Sequence, residues 1–154
     1  MDEASITQYI TDTFAGVDPV VASGDTFFIY DPDRNLPPKR QMPFATLVTS
    51  DINDRASNLS RPSVFRLNIG VSKDTYRSLF GPQPSPPGAA GVVDTGHDFT
   101  ALDQLLPHPV YAHLSWVCVL NPSEETFQTV RRLLAEAYDR SVRKHAASRP
   151  TDES

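Results

Sequence analysis

Residues 121–144, NPSEETFQTVRRLLAEAYDRSVRK, admit one regular structure. Asn121 offers a cap, Pro122 suits a first helical position where its missing N–H is not needed, and Glu124 stands at the capping-box position. Phe127, Val130, Leu134, Ala137 and Tyr138 then recur at helical spacing, drawing one apolar stripe to about Lys144. A long amphipathic helix with one stripe must lay it on an apolar surface. The remaining segments supply strands for that surface.

The cleanest strand is Val64–Val71, VFRLNIGV, where Phe65, Leu67, Ile69 and Val71 alternate with Arg66 and Asn68. Thr26–Tyr30 (TFFIY) is short, aromatic and apolar on both faces, and stops at the turn-rich DPDRNLPPKR. Phe44–Thr49 (FATLVT) is another strand, followed by the polar, irregular segment Asp51–Pro62. Val110–Leu120, VYAHLSWVCVL, reads as one continuous strand, with Tyr111, His113 and Ser115 on one face. Ala112, Leu114, Trp116, Cys118 and Leu120 take the other face, predicted to lie under the closing helix.

Helical spacing also marks Ile6, Tyr9, Ile10 and Phe14 in the first segment, with Gly16 as its stop. Ser72 caps a short helix, SKDTYRSLF, that turns Tyr76, Leu79 and Phe80 inward and ends at Gly81. Asp98 caps another that carries Leu102, Leu105 and Leu106. Pro82–Gly91, PQPSPPGAAG, cannot pair regularly and is expected to be a mobile loop bordering the site. These elements predict one α+β domain over 1–146, with a twisted antiparallel sheet, helices packed on one face and a long C-terminal amphipathic helix. Residues 147–154 are expected to be a disordered tail.

Composition narrows the function. The 154 residues carry 14 Lys and Arg against 19 Asp and Glu, a formal charge of −5, which opposes nucleic acid as a partner because phosphate neutralisation dominates such binding. No apolar run is long enough to cross a membrane, and the acidic N-terminus lacks a signal-peptide core, so no membrane partner is expected. A single cysteine, Cys118, allows no internal disulfide and fits the cytoplasm. Its phase makes it a buried structural thiol rather than a nucleophile.

DTFFIYDPDR, MPFATLVTSD, VFRLNIGVSKDTYRSLFG, HDFTALDQLLPHPVYAHLSWVCVLNPS and LLAEAYDRSVRK together resemble a family of small bacterial proteins whose domain has no known function. The resemblance covers nearly the whole chain. More remotely, WVCVL followed by the helix with AEAYDRSV is similar to the MmcQ/YjbR-like proteins. That similarity implies a twisted antiparallel sheet cupped by helices, and a double-wing DNA-binding role.

No glycine-rich phosphate loop, zinc-protease helix, nucleophile elbow or paired-cysteine motif is present in the chain, so no cofactor and no metal is expected. The candidate working surface is the polar sheet face. His113 is the expected acid/base group, histidine being the side chain that can give or take a proton near neutral pH when unperturbed, with Tyr111 and Arg66 stabilising negative charge. Asn68, Ser115, Tyr30, Phe28, His97 and Asp94 are expected to bind the substrate. The predicted function is a small cofactor-independent acid/base enzyme of specialised metabolism: a lyase, isomerase or cyclase acting on a carbonyl-containing small molecule. The alternatives are a ligand- or protein-binding module without catalysis, and a double-wing DNA-binding protein. A solvated outer sheet face accounts for the same polar residues without any site.

Overall fold

The computed structural model describes residues 1–148. Of the expected tail, 147 and 148 continue the closing helix, and 149–154 lie outside the described residues. Helix α1 (Glu3–Thr13) begins with a capping box, in which Asp2 accepts from the Ser5 amide at 2.8 Å and Ser5 Oγ accepts from the Asp2 amide at 3.1 Å. Strands β1 (Val17–Ala22) and β2 (Asp25–Tyr30) form a hairpin through Ser23 and Gly24. Both turn residues have positive φ, 55° and 84°, as a two-residue hairpin turn matching the strand twist requires. Pro19 sits within β1, which is tolerated because β1 is an edge strand; that proline also hides the strand in the sequence.

Next come β3 (Pro43–Val48), β4 (Arg66–Gly70), helix α2 (Lys73–Phe80), β5 (Leu105–Pro107), β6 (Trp116–Leu120) and helix α3 (Glu124–Ser148). Among the described residues the sheet has six strands in the order β1-β2-β3-β4-β6-β5, every pair antiparallel. The expected α+β class, with helices on one face and a long closing helix, is what the chain forms.

Register sorts the side chains into two faces. Ala45, Ile69 and Val117 lie opposite one another, as do Leu47, Leu67 and Val119. These rows are buried with Phe28, with Ile6 and Ile10 of α1, and with Phe127, Val130, Leu134 and Ala137 of α3. The alternate rows, Thr46–Asn68–Cys118 and Val48–Arg66–Leu120, face away from the helices. They too are buried, because Leu59, Val64 and Leu106 join Val48, Cys118 and Leu120 in a second apolar cluster. The irregular segment after β3 therefore covers the second face of the sheet.

Several expectations need correction. Val110–Leu120 is not one strand: Ala112–Leu114 form a 3₁₀ turn, Ser115 is left-handed at φ 70°, and pairing starts at Trp116. The cause is local, since His108 Nδ1 accepts from the amides of Val110 and Tyr111, each at 3.0 Å, and so competes with the sheet ladder. In β6 Val117 and Val119 take the helix face, so Cys118 lies on the face away from the helices, and Leu114 is 61% exposed instead of packing under α3. Asp98 closes only a turn onto Thr100, and Leu105–Pro107 become an edge strand paired with β6 in place of a helix. Helix α3 is capped by Ser123, whose Oγ accepts from the Thr126 amide at 3.2 Å; Asn121 instead holds β4 through the Phe65 amide at 2.9 Å. In α2 Tyr76 is buried as expected, but Leu79 faces solvent.

Leu134 is fully buried at the centre of the helix–sheet contact. Leu134→Ala is expected to destabilise the protein by about 2–5 kcal/mol, through lost burial and a residual cavity, measured by urea denaturation. An unchanged midpoint would show that the α3 stripe is not core.

Candidate functional site

The polar residues of the second face form a closed network. Arg66 is 1% exposed, and its guanidinium makes four hydrogen bonds: to both oxygens of Asp54 (3.0 and 2.8 Å), to Ser57 Oγ (2.9 Å) and to Asn68 Oδ1 (2.9 Å). Asn68 passes the chain on by donating to Thr46 Oγ1 at 2.9 Å. Burial opposes ionisation of Asp54, yet the hydrogen bonds and charge of Arg66 outweigh it and hold the carboxyl below its ordinary range. Burial, aided by the Arg66 charge, pushes His108 down to about 3, so its ring is a neutral acceptor. Burial also pushes the Cys118 thiol up to about 12, and the thiol donates to the Pro107 carbonyl at 3.6 Å. A guanidinium so fully engaged is a structural group.

The other residues singled out from the sequence are scattered. Tyr111 is 49% exposed, in the turn before β6. His113 Nδ1 is buried with no hydrogen-bond partner among the described residues, and Ser115 Oγ accepts from Gln83 of the Pro82–Gly91 segment. That segment meets Ser115 through the Gln83 side chain. Phe28 is buried on the helix face. His97 meets Thr95 Oγ1 at 2.9 Å and the edge of Phe80, and Asp94 is exposed. Arg66 is buried in the second face of the sheet, whereas Tyr111 and His113 stand in the turn before β6. Among the described residues no group of three or more His, Cys, Asp or Glu is placed to hold a metal.

A different place has the form of a site. Strand β2 ends at Tyr30, β3 starts at Pro43, β4 ends at Gly70 and β6 starts at Trp116, all at one end of the sheet. There, the β2–β3 loop and the second half of α3 bound a cleft of about 510 Å³, within the ordinary range for small-molecule sites. Its apolar lining includes Tyr30, Phe44, Leu114 and Trp116. Lys39 and Arg40 line it from the loop, while Arg140, Lys144 and His145 line it from α3. Among the described residues no Asp or Glu lines it. Of the expected substrate-binding residues, Tyr30 alone is here.

Local physics builds each wall. The loop is pinned by Asp31, whose carboxylate accepts from the amides of Asn35 (3.1 Å) and Leu36 (3.4 Å), and by Gln41 donating to the Leu36 carbonyl. Arg140 donates to the carbonyls of Val71 (2.7 Å) and Gly70 (3.3 Å), fixing α3 to the end of β4. Tyr30 stands edge-on between Tyr138 and His145, with ring centroids 5.6 and 5.3 Å away. Trp116 lies across Gly70 so closely that a Cβ there would come within 2.9 Å of the indole. Sequence reading missed these cations because 39–40 and 140–145 are far apart in the chain, and each looks like an ordinary solvated charge.

The fold and its buried faces define a small α+β protein built on an open, twisted antiparallel sheet. Over residues 1–150 the chain matches a family of unknown function, DUF6194, and it belongs to that family. No curated protein and no solved structure matched it.

Removing the carboxylate of Asp54 leaves a buried, unpaired guanidinium, so Asp54→Ala is expected to cost about 3–5 kcal/mol in urea unfolding. A loss below about 1 kcal/mol would mean that Arg66 finds solvent without it.

The His108 shift sets a pH dependence. The unfolded chain takes up a proton near the ordinary 6.5, whereas the folded chain resists until about 3. Stability is therefore fully present above pH 6.5 and falls as the pH drops from 6.5 toward 3. The depressed carboxyl of Asp54 adds a further loss only below its unfolded value of 3.8. His108→Asn keeps an acceptor for the two amides and removes the titration. Its urea midpoint is expected to stay flat between about pH 6.5 and pH 4, where that of the parent protein declines. Parallel declines would acquit His108.

Proposed function

We propose that this protein binds a small organic anion in the cleft at the end of its sheet. One observation carries the reading: in a chain of net charge −5, two of the three lysines, two arginines and a histidine line one cleft that no carboxylate lines among the described residues. Lys39 and Lys144 form no ion pair among the described residues. These two lysines, brought to one cleft against the overall charge, repel each other and lower the local cost of holding an anion. Aromatic walls exclude water on one side and strengthen that attraction. This is the ligand-binding alternative among the readings of the sequence.

The acid/base reading, a lyase or cyclase in a biosynthetic step, has a different basis here from the one the sequence suggested. Its proton-transfer group is then His145, the imidazole at the cleft, in place of His113. The remote MmcQ/YjbR similarity keeps a double-wing DNA role as a further reading. It is opposed by the net negative charge and by Arg131, which lies over the rings of Tyr9 and Phe127 at 5.1 and 5.8 Å. A cytoplasmic setting accords with the single buried thiol.

The test uses the dye 8-anilinonaphthalene-1-sulfonate, an aromatic anion, titrated against the full chain. Lys39→Glu with Lys144→Glu is expected to weaken its binding at least about tenfold, since two cations at the cleft become anions. Arg77→Glu with Arg132→Glu makes the same change in net charge at exposed positions away from the cleft, and is expected to leave the affinity within about twofold. Equal losses in the two variants would reduce the effect to net charge and overturn the reading.

A further inference from the structure

Resting on the reading that the cleft takes an organic anion, we infer that its ligand is amphipathic: a free single-chain carboxylate whose acyl tail lies on the cleft's apolar rim. The observation is where the exposed apolar surface falls. Single exposed hydrophobic residues are ordinary on any protein. Here Met42 is 63% exposed and Leu114 is 61% exposed, and both line the same cleft that collects the cations. They come from different elements, the β2–β3 loop and the turn before β6. Leu36 and Trp116 carry the apolar surface on from them.

A compact hydrophilic anion would use the cations and leave this rim wet. An uncharged apolar ligand would use the rim and leave Lys39 and Lys144 without a counter-ion among the described residues. A carboxylate head on an acyl chain satisfies both. The turn that presents Leu114 is also built and held in place. Ser115 is left-handed and buried, its carbonyl accepts from the Val71 amide at 3.2 Å, and Gln83 donates to its hydroxyl and to the His113 carbonyl. An exposed leucine held by that many bonds is presented to the cleft by a fixed backbone. A volume of about 510 Å³ suits a single chain rather than a folded partner.

Trp116, the one tryptophan of the chain, lines the cleft and reports occupancy directly. The experiment titrates the full chain with butanoate, hexanoate, octanoate and decanoate below their micellar concentrations, following Trp116 fluorescence. Affinity is expected to rise about two- to fourfold per added methylene, the increment for transferring a CH₂ from water. Met42→Ser with Leu114→Ser alters two exposed side chains, so the fold is expected to persist by circular dichroism while the increment per methylene shrinks. Lys39→Gln with Lys144→Gln is expected to weaken every chain length by the same factor and leave the increment intact. Affinity independent of chain length overturns the inference, as does an increment that the Met42 and Leu114 changes do not touch. A charge-dependent dye response with a flat acyl series sinks this inference alone, whereas loss of the charge-dependent dye response sinks the earlier reading. Sedimentation with phosphatidylglycerol vesicles, without response to free decanoate, would assign the surface to a membrane and overturn the free ligand.

Discussion

A guanidinium cannot be buried alone, and burying Arg66 in the middle of the sheet dictates much else. Taking the charge out of water costs several kcal/mol unless an anion and further acceptors meet it. Strand parity places Arg66 on the face away from the helices, between Val48 and Leu120. Its partners must therefore come from a segment crossing that face, and the segment after β3 brings Asp54 and Ser57. Leu59 and Val64 then seal the layer from water. An apolar residue at position 66 could be equally stable, but it would not specify where this irregular loop docks. The bidentate Arg66–Asp54 pair specifies it by geometry.

Elements governed by their own local chemistry were legible in the sequence. The stripes of α1 and α3, the cap of α2 at Ser72 with its stop at Gly81 (φ 84°), and the alternation of β4 all emerged where the residues place them. The failures share a cause as well. At 110–115 an alternating pattern is overridden by one side chain, His108, which takes two backbone amides that a strand would have used. At 98–106 apolar spacing suggests a helix, but pairing with β6 wins because it buries Leu106 beside Cys118. Periodicity reports which residues want burial. It does not report which hydrogen-bonding partner the backbone will find.

The same limit applied to the candidate site. Parity brought Arg66 and Asn68 to one face correctly, but could not say that a loop would cover them, and it failed for Tyr111, His113 and Ser115 because no strand exists there. The cleft draws Lys39 and Arg40 from a loop that reads as a turn, and Arg140 and Lys144 from a helix face that reads as solvated. Their convergence follows from the sheet order, which sets the ends of β2, β3, β4 and β6 side by side.

The turn that follows His108 shapes the cleft wall. His108 sits beside the Arg66 network, its backbone amide pairs with the Trp116 carbonyl at 3.0 Å, and its ring shapes the turn that follows. That turn ends in Ser115, tied to Val71 and Gln83, and it delivers Leu114 and Trp116 to the cleft wall. Trp116 can lie flat there because Gly70 has no side chain, and Arg140 uses the carbonyls of the same Gly70 and Val71 to seat α3 opposite. From His108 to the cleft wall, bonded neighbours within one strand pair make the connection. Arg66 and Asn68, which looked like chemistry in the sequence, hold the scaffold. The surface they hold in place is the one where cations and exposed apolar side chains meet.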